Sequence, residues 1–209
     1  MLPRGVYAIV DGSAARPPLE LVAAFVKGGA AVVQLRLKDA GAGELLRLAR
    51  ESRKLCAGKA LLIINDRPDV ARLAEADGVH LGQEDLPVSA ARAILGARAL
   101  IGLSTHSDEE IDAAVGADYI GFGPIFATQS KAGEPLPPPH RIEGLRRAVR
   151  RSKLPVVAIG GITADTVADV ARAGAHCAAA IAYLCNAPDP ENAVRALAEA
   201  WGPRPEASR

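Results

Sequence analysis

Cysteine is scarce: Cys56, Cys177 and Cys185 are too few for a disulfide framework and lack the paired spacing of a zinc site. A reducing, cytoplasmic setting is the expectation. An excess of either charge sign is also missing. The formal balance is +1 with histidine neutral, which gives no electrostatic reason to expect nucleic acid or an anionic membrane as a partner. No apolar run is long enough to span a bilayer, and MLPRGVYAIVDG lacks the charged, then apolar, then small layout of a secretory signal. These absences leave a soluble protein of small-molecule chemistry as the expectation. The state of assembly is not readable, and a homo-oligomer is compatible with it.

Nearly half of the 209 residues are apolar, and they recur in short β-rich runs. Eight can be counted: VYAIVD, AAVVQLRL, ALLIIND, GVHLG, ALIGLST, DYIGFGPIF, PVVAIGG and HCAAAIAYL. Between them lie apolar residues at helical spacing, over Leu19 to Val26, Leu45 to Leu55, Val88 to Leu95, Ile111 to Val115 and Val167 to Ala171. THSDEE offers Thr105 or Ser107 as a helix cap, and GITADT does the same before the seventh helix. KGGA, VGAD and RAGAH put glycine where a helix must stop and turn back. RRAVRRSK reads as a solvated helix face.

Strand-helix alternation implies parallel strands joined by right-handed crossovers. Eight repeats of roughly 25 residues suit one closed (β/α)₈ TIM barrel over residues 1–209, with a C-terminal tail frayed from about 202. In that fold reactive groups sit at the carboxyl ends of strands and in the loops that follow.

Polar residues at those ends fall into two sets. In QLRLK, Gln34, Arg36 and Lys38 share one face of a strand whose preceding residues are apolar, so an anion is expected there. The third run ends at Asn65 and Asp66, and the fourth runs on into Gln83, Glu84 and Asp85. Asp66 and Asp85 stand at consecutive strand mouths, where two carboxylates repel unless a proton or cation sits between them. Mg²⁺ is the expected cation, since it takes one or two carboxylates and completes its octahedron with water and phosphate oxygens. The alternative is structural: Asp66 opening the turn NDRPD, and Asp85 capping the next helix.

The sixth run leads into GPIFATQSKAGE, which carries Thr128, Ser130 and Lys131, and the seventh ends in Gly160 and Gly161. Barrels often bind phosphate after strands seven and eight. Arg36, Lys38, Lys131 and the magnesium therefore suit a diphosphate. Thr128, Ser130 and the backbone at Gly161 and the end of the eighth strand suit a monophosphate.

QLRLK, IINDR, DGVHLGQEDLP, GLSTH, GFGPIFATQSK and AIGGIT resemble, in order and spacing, the motifs of the thiamine phosphate synthase family. The resemblance implies a magnesium-dependent transferase that joins 4-amino-5-hydroxymethyl-2-methylpyrimidine diphosphate to a thiazole phosphate. It puts Gln34, Arg36, Lys38, Asn65, Ser104 and Lys131 on the pyrimidine diphosphate, with Ser104 and Lys131 as its catalytic candidates. Asp66 and Asp85 become the metal ligands, while Thr128, Ser130, Gly161, Ile181 and Ala182 take the thiazole phosphate. No side-chain nucleophile is needed, in keeping with a sequence that offers no convincing Cys-His or Ser-His dyad. His80, His106, His140 and His176 read as structural.

The sequence departs from the family's habit at Ala127 and Ser130 in the sixth loop, at Ala182 where serine is common, in GAHCAAA, and at Arg141 where glycine is common. These changes fall on the thiazole-phosphate side. A thiazole tautomerase of the same fold is the alternative, and it typically lacks the full metal and diphosphate set. A non-catalytic phosphate-binding barrel is a third reading, one that has little need for paired metal carboxylates.

Overall fold

The computed structural model describes residues 1–128 and 138–202. Among them, eight strands alternate with helices: β1 (Gly5–Asp11), α1 (Pro18–Lys27), β2 (Val32–Arg36), α2 (Ala42–Cys56), β3 (Leu61–Asn65), α3 (Pro68–Leu73), β4 (Gly78–Leu81) and α4 (Val88–Leu95). The second half continues with β5 (Leu100–Thr105), α5 (Asp108–Ala113), β6 (Tyr119–Phe122), α6 (Arg141–Arg151), β7 (Val156–Ile159), α7 (Val167–Arg172) and β8 (Cys177–Ala180). Two helices close the chain, α8 (Ala182–Cys185) and α9 (Pro190–Trp201). Every strand pairs in parallel with its sequence neighbour, and β8 returns to β1 through Gly5↔Cys177 to Ala8↔Ala180. The result is the expected closed (β/α)₈ barrel.

Most strand residues are buried, as parallel strands covered on both faces require. Alternation sorts them. Tyr7 and Ile9 of β1 point into the barrel, so Ala8 and Val10 at the alternate positions face the helices. Local chemistry sets the helix ends: Pro18, Pro68 and Pro190 stand in the first turns of α1, α3 and α9, where the missing N–H is no loss. Ser107 caps α5 by accepting from the Glu110 N–H, and Asp189 caps α9 through Asn192. The expected glycine stops are present, with Gly29, Gly116 and Gly174 all at positive φ.

Three details differ from the sequence reading. The eighth apolar run is not all strand, because Ile181 (φ −115°, ψ −86°) leaves extended geometry and Ala182–Cys185 coil into α8. The β8 ladders end at Ile159↔Ala179 and Ala8↔Ala180, so the chain beyond Ala180 pairs with neither neighbouring strand. The fifth helix begins earlier than Ile111, since Ser107 starts it at Asp108, and it ends at Ala113, leaving Val115 exposed. No side chain caps α7, because the Thr166 hydroxyl instead accepts from the Thr163 N–H at 3.0 Å. The tail expected to fray lies, from residue 203 on, outside the described residues.

Candidate active site

The carboxyl mouth of the barrel opens into a cavity of about 460 Å³ to which all eight strands contribute. Gln34 and Arg36 enter it from alternate positions of β2, with Lys38 just beyond. Asn65 and Asp66 come from the end of β3, Asp85 from the loop after β4, and Ser104 from β5. A second cavity of about 430 Å³ adjoins it and takes in Thr128, Gly160, Gly161, Ile181 and Ala182. His106, Ile159, Ala179 and Ile181 line both, so the two are continuous. The two sets of residues grouped from the sequence thus occupy two neighbouring spaces, apart from Ser130 and Lys131, which lie outside the described residues.

Asp66 and Asp85 face each other. Burial, followed by hydrogen bonding and charge from Asp85, pushes the Asp66 carboxyl up to about 6, against the opposing pull of Lys38 and Arg36. Neither aspartate caps a helix, since the N-cap positions of α3 and α4 are Arg67 and Pro87, with no side-chain cap at either. Asp66 adopts φ 60° while its N–H donates to the His80 carbonyl at 2.9 Å, and Asp85 Oδ2 accepts from the Gly82 N–H at 2.7 Å. A left-handed backbone at a non-glycine residue is held here by its surroundings. Two hard oxygen donors that repel one another fit a divalent cation such as Mg²⁺. Among the described residues no cluster of three or more His, Cys, Asp or Glu is arranged to hold a metal, so further ligands would have to be water or substrate oxygens.

The cationic wall is anchored by a residue the sequence reading missed. Arg36 pairs with Asp11 at the end of β1, and Asp11 also accepts from the Ser13 N–H and hydroxyl. Burial alone would raise the Asp11 carboxyl, but the hydrogen bonds from Ser13 and Arg36 outweigh it and hold the group below its ordinary value. The signal was present: Asp11 ends VYAIVD as Asp66 follows IIN, and the strand-mouth rule applies equally to both. Gln34 is 2% exposed, and its Nε2 has no hydrogen-bond partner among the described residues. A buried amide donor left unpaired costs about 1–3 kcal/mol, a cost that an acceptor entering the cavity would relieve.

Two histidines read as structural also line the mouth. His80 bonds Ser104 Oγ through Nε2 (3.0 Å) and the Tyr119 hydroxyl through Nδ1 (3.2 Å), and Tyr119 meets the Tyr7 hydroxyl at 3.0 Å. His106 is fixed by its Nδ1 to the Gly123 carbonyl at 2.7 Å, at the junction of the two cavities. Both are satisfied, as expected, and both also border the space where ligands would sit. Inward alternation on β1, β4 and β6 was the available signal for Tyr7, His80 and Tyr119. His176 is structural as read, bonded through Nε2 to the Leu2 carbonyl at 2.8 Å. His140 packs on Phe122 with ring centroids 4.5 Å apart.

In the second cavity Gly161 has φ 64°, and a Cβ there would come within 2.6 Å of the Ala127 carbonyl oxygen. Only glycine lets the β7 turn approach the β6 loop this closely. Arg141, where the resemblance led us to expect glycine, is itself left-handed at φ 57°, so the backbone keeps the glycine conformation without the glycine.

Fold and site define a class: a (β/α)₈-barrel enzyme whose polar groups converge on the carboxyl mouth. A sequence model of the thiamine monophosphate synthase family matches residues 6–184. The thiamine-phosphate synthase of Anaeromyxobacter dehalogenans is 48% identical over 200 residues, covering 94% of this chain and 87% of that one. That of Moorella thermoacetica is 46% identical over 190 residues, covering 88% of each. Among solved structures, thiamine phosphate pyrophosphorylase from Pyrococcus furiosus superposes with a TM-score of 0.86 at 36% identity, covering 96% of this chain and 95% of that one. The chain belongs to the thiamine monophosphate synthase family and is a transferase of thiamine biosynthesis. No helix among the described residues is long and apolar enough to cross a membrane.

Proposed function

We propose that the enzyme condenses 4-amino-5-hydroxymethyl-2-methylpyrimidine diphosphate with a thiazole phosphate, releasing diphosphate and forming thiamine phosphate, with Mg²⁺ bound by Asp66 and Asp85. The observation that carries this reading is the pairing of cavities. One holds the apposed aspartates together with Arg36, Lys38 and the unpaired Gln34 amide, and opens directly into a second that contains Thr128 and Gly161.

The chemistry needs little from the side chains beyond placement and charge. The methylene carbon–oxygen bond to diphosphate breaks, its electron pair leaving with the oxygen, and the thiazole nitrogen lone pair forms the new carbon–nitrogen bond. Asp66 and Asp85 would hold Mg²⁺, which when bound would neutralise charge developing on the departing diphosphate. Arg36, held rigid by Asp11, and Lys38 hold diphosphate oxygens and add to that neutralisation. Gln34 donates to the pyrimidine through its unpaired amide, and Asn65 fixes the same ring from β3. The ring's amino group spreads the positive charge left on the methylene carbon, so a dissociative displacement follows. Ser104 stands against the pyrimidine. Thr128 and the backbone at Gly161, Ile181 and Ala182 receive the thiazole phosphate. By their motif, Lys131 is assigned to the diphosphate and Ser130 to the thiazole phosphate.

Incubating purified protein with both substrates, with and without Mg²⁺, and quantifying thiamine phosphate and diphosphate tests the reading. Equal amounts of the two products, abolished by chelation, are expected. Isomerisation of the thiazole phosphate without condensation would sink it in favour of a tautomerase.

A further inference from the structure

Beneath the mouth, four side chains from four strands form one hydrogen-bonded line. Tyr7 of β1 meets Tyr119 of β6 at 3.0 Å, Tyr119 meets His80 Nδ1 of β4 at 3.2 Å, and His80 Nε2 meets Ser104 of β5 at 3.0 Å. The line is built, not incidental. Gly102 of β5 lies between His80 and Tyr119, and a Cβ there would fall 2.2 Å from the tyrosine ring and 2.4 Å from His80 Nδ1. A Cβ at Gly121 would come within 3.1 Å of the imidazole as well. Two glycines therefore open the slot that the imidazole fills.

The inner end of the line gives it a direction. Tyr7 is 2% exposed, and its hydroxyl has one hydrogen-bond partner among the described residues, Tyr119. Burial first, then the neighbouring tyrosine, raises the Tyr7 hydroxyl well above its ordinary value, and burial raises Tyr119 too, so both keep their protons. Were Tyr119 to donate to Tyr7, the Tyr7 proton would be buried with no acceptor among the described residues, an arrangement that native structures avoid. Tyr7 therefore donates to Tyr119, and Tyr119 must give its own proton to His80 Nδ1. An imidazole that accepts at Nδ1 carries its proton on Nε2.

We propose that Tyr7 and Tyr119 are positioning residues that fix His80 as the Nε2–H tautomer, so that His80 donates to Ser104 and the Ser104 hydroxyl is left as a donor facing the cavity. Ser104 then has its O–H to give to a ligand atom bearing a lone pair, such as a ring nitrogen or a phosphate oxygen. The tautomer follows from the line of side chains alone, while the link to turnover rests on the function proposed above.

Histidine-selective ¹H–¹⁵N spectra of the wild-type protein, with the His80 signal assigned by its loss in His80→Gln, read the tautomer without any substrate. Protonated Nε2 and bare Nδ1 are expected for His80, and a proton on Nδ1 overturns the proposal. Kinetics test the direction. Tyr119→Phe is expected to lower kcat/KM for the pyrimidine diphosphate roughly ten-fold, and to lower it no further in a Ser104→Ala background. Additive losses would mean that Tyr119 acts elsewhere, and the proposal falls. His80→Gln keeps an N–H donor near the Nε2 position and should stay within about three-fold of wild type, whereas His80→Asn should drop to the Ser104→Ala level; the reverse order is equally fatal. Should wild-type protein make no thiamine phosphate, the proposed function fails and the spectrum still decides the tautomer.

Discussion

Asp66 carries two opposed demands. Its carboxyl is raised to about 6 by burial and by Asp85, so ionising it in the metal-free protein works against folding. The cost is absent below the ordinary carboxylate pKa, grows as pH rises toward 6 and is complete above it. Replacing Asp66 with Asn removes that cost. Metal-free Asp66→Asn should be more stable than wild type by about 1 kcal/mol above pH 6, after discounting for solvent screening at a half-buried site. The gain should vanish toward pH 4, and the same variant should lose most of its turnover. Urea midpoints across pH, alongside product formation, check both. A variant that is less stable than wild type at neutral pH would refute the repulsion on which the metal assignment stands. Asp11 shows the reverse logic: its hydrogen bonds to Ser13 and Arg36 keep it ionised, and the rigidity it lends Arg36 is visible only when β1 and β2 lie side by side, Asp11 opposite Arg36.

At the scale of elements, helix starts record how well sequence and fold agree. Ser107 and Asp189 cap α5 and α9 as short polar side chains should. The start of α6 is different. Arg141 sits left-handed at φ 57° while its N–H donates to the Ile125 carbonyl at 2.9 Å, tying α6 to the β6 loop. A side chain pays about 1–2 kcal/mol for that conformation, and glycine regains most of it less its greater freedom when unfolded. Arg141→Gly is expected to raise stability by about 0.5–1 kcal/mol without altering kcat, read as a higher urea midpoint at an unchanged slope. The basic face read from RRAVRRSK does lie on a helix, α6, and is partly paired: Arg147 and Arg151 bridge to Asp108 and Asp112 of α5. Exposed pairs of this kind contribute little individually.

For the whole molecule, closure is the central fact. β1 pairs with both β2 and β8, and α9 packs over β1 and α1 to cover that seam. The fit is close at Gly28, where a Cβ would lie 2.5 Å from the Glu191 carbonyl oxygen. α9 buries Val194, Leu197 and Trp201, each contributing about 1.5–3 kcal/mol, against a total domain stability of about 5–15 kcal/mol. Ending the chain after Pro188 should therefore abolish cooperative unfolding. Far-ultraviolet circular dichroism in urea reads this, since the single tryptophan is removed with the helix. A truncated chain that still unfolds in one sharp transition would show that the barrel closes unaided.

The order of strands and helices, the barrel and the placing at the mouth of the described residues of both sets were legible in the sequence, because period-two and period-3.6 patterns are local and a strand's carboxyl end follows from chain direction. Tertiary structure alone decided other meetings across strands: Asp11 with Arg36, and Tyr7 with Tyr119 and His80. It also decided where the eighth strand ends, because its neighbour β7 stops at Ile159, opposite Ala179. Burial and proton direction arise only once the barrel has closed, since desolvation and hydrogen-bond partners are properties of the assembled interior and of no single segment.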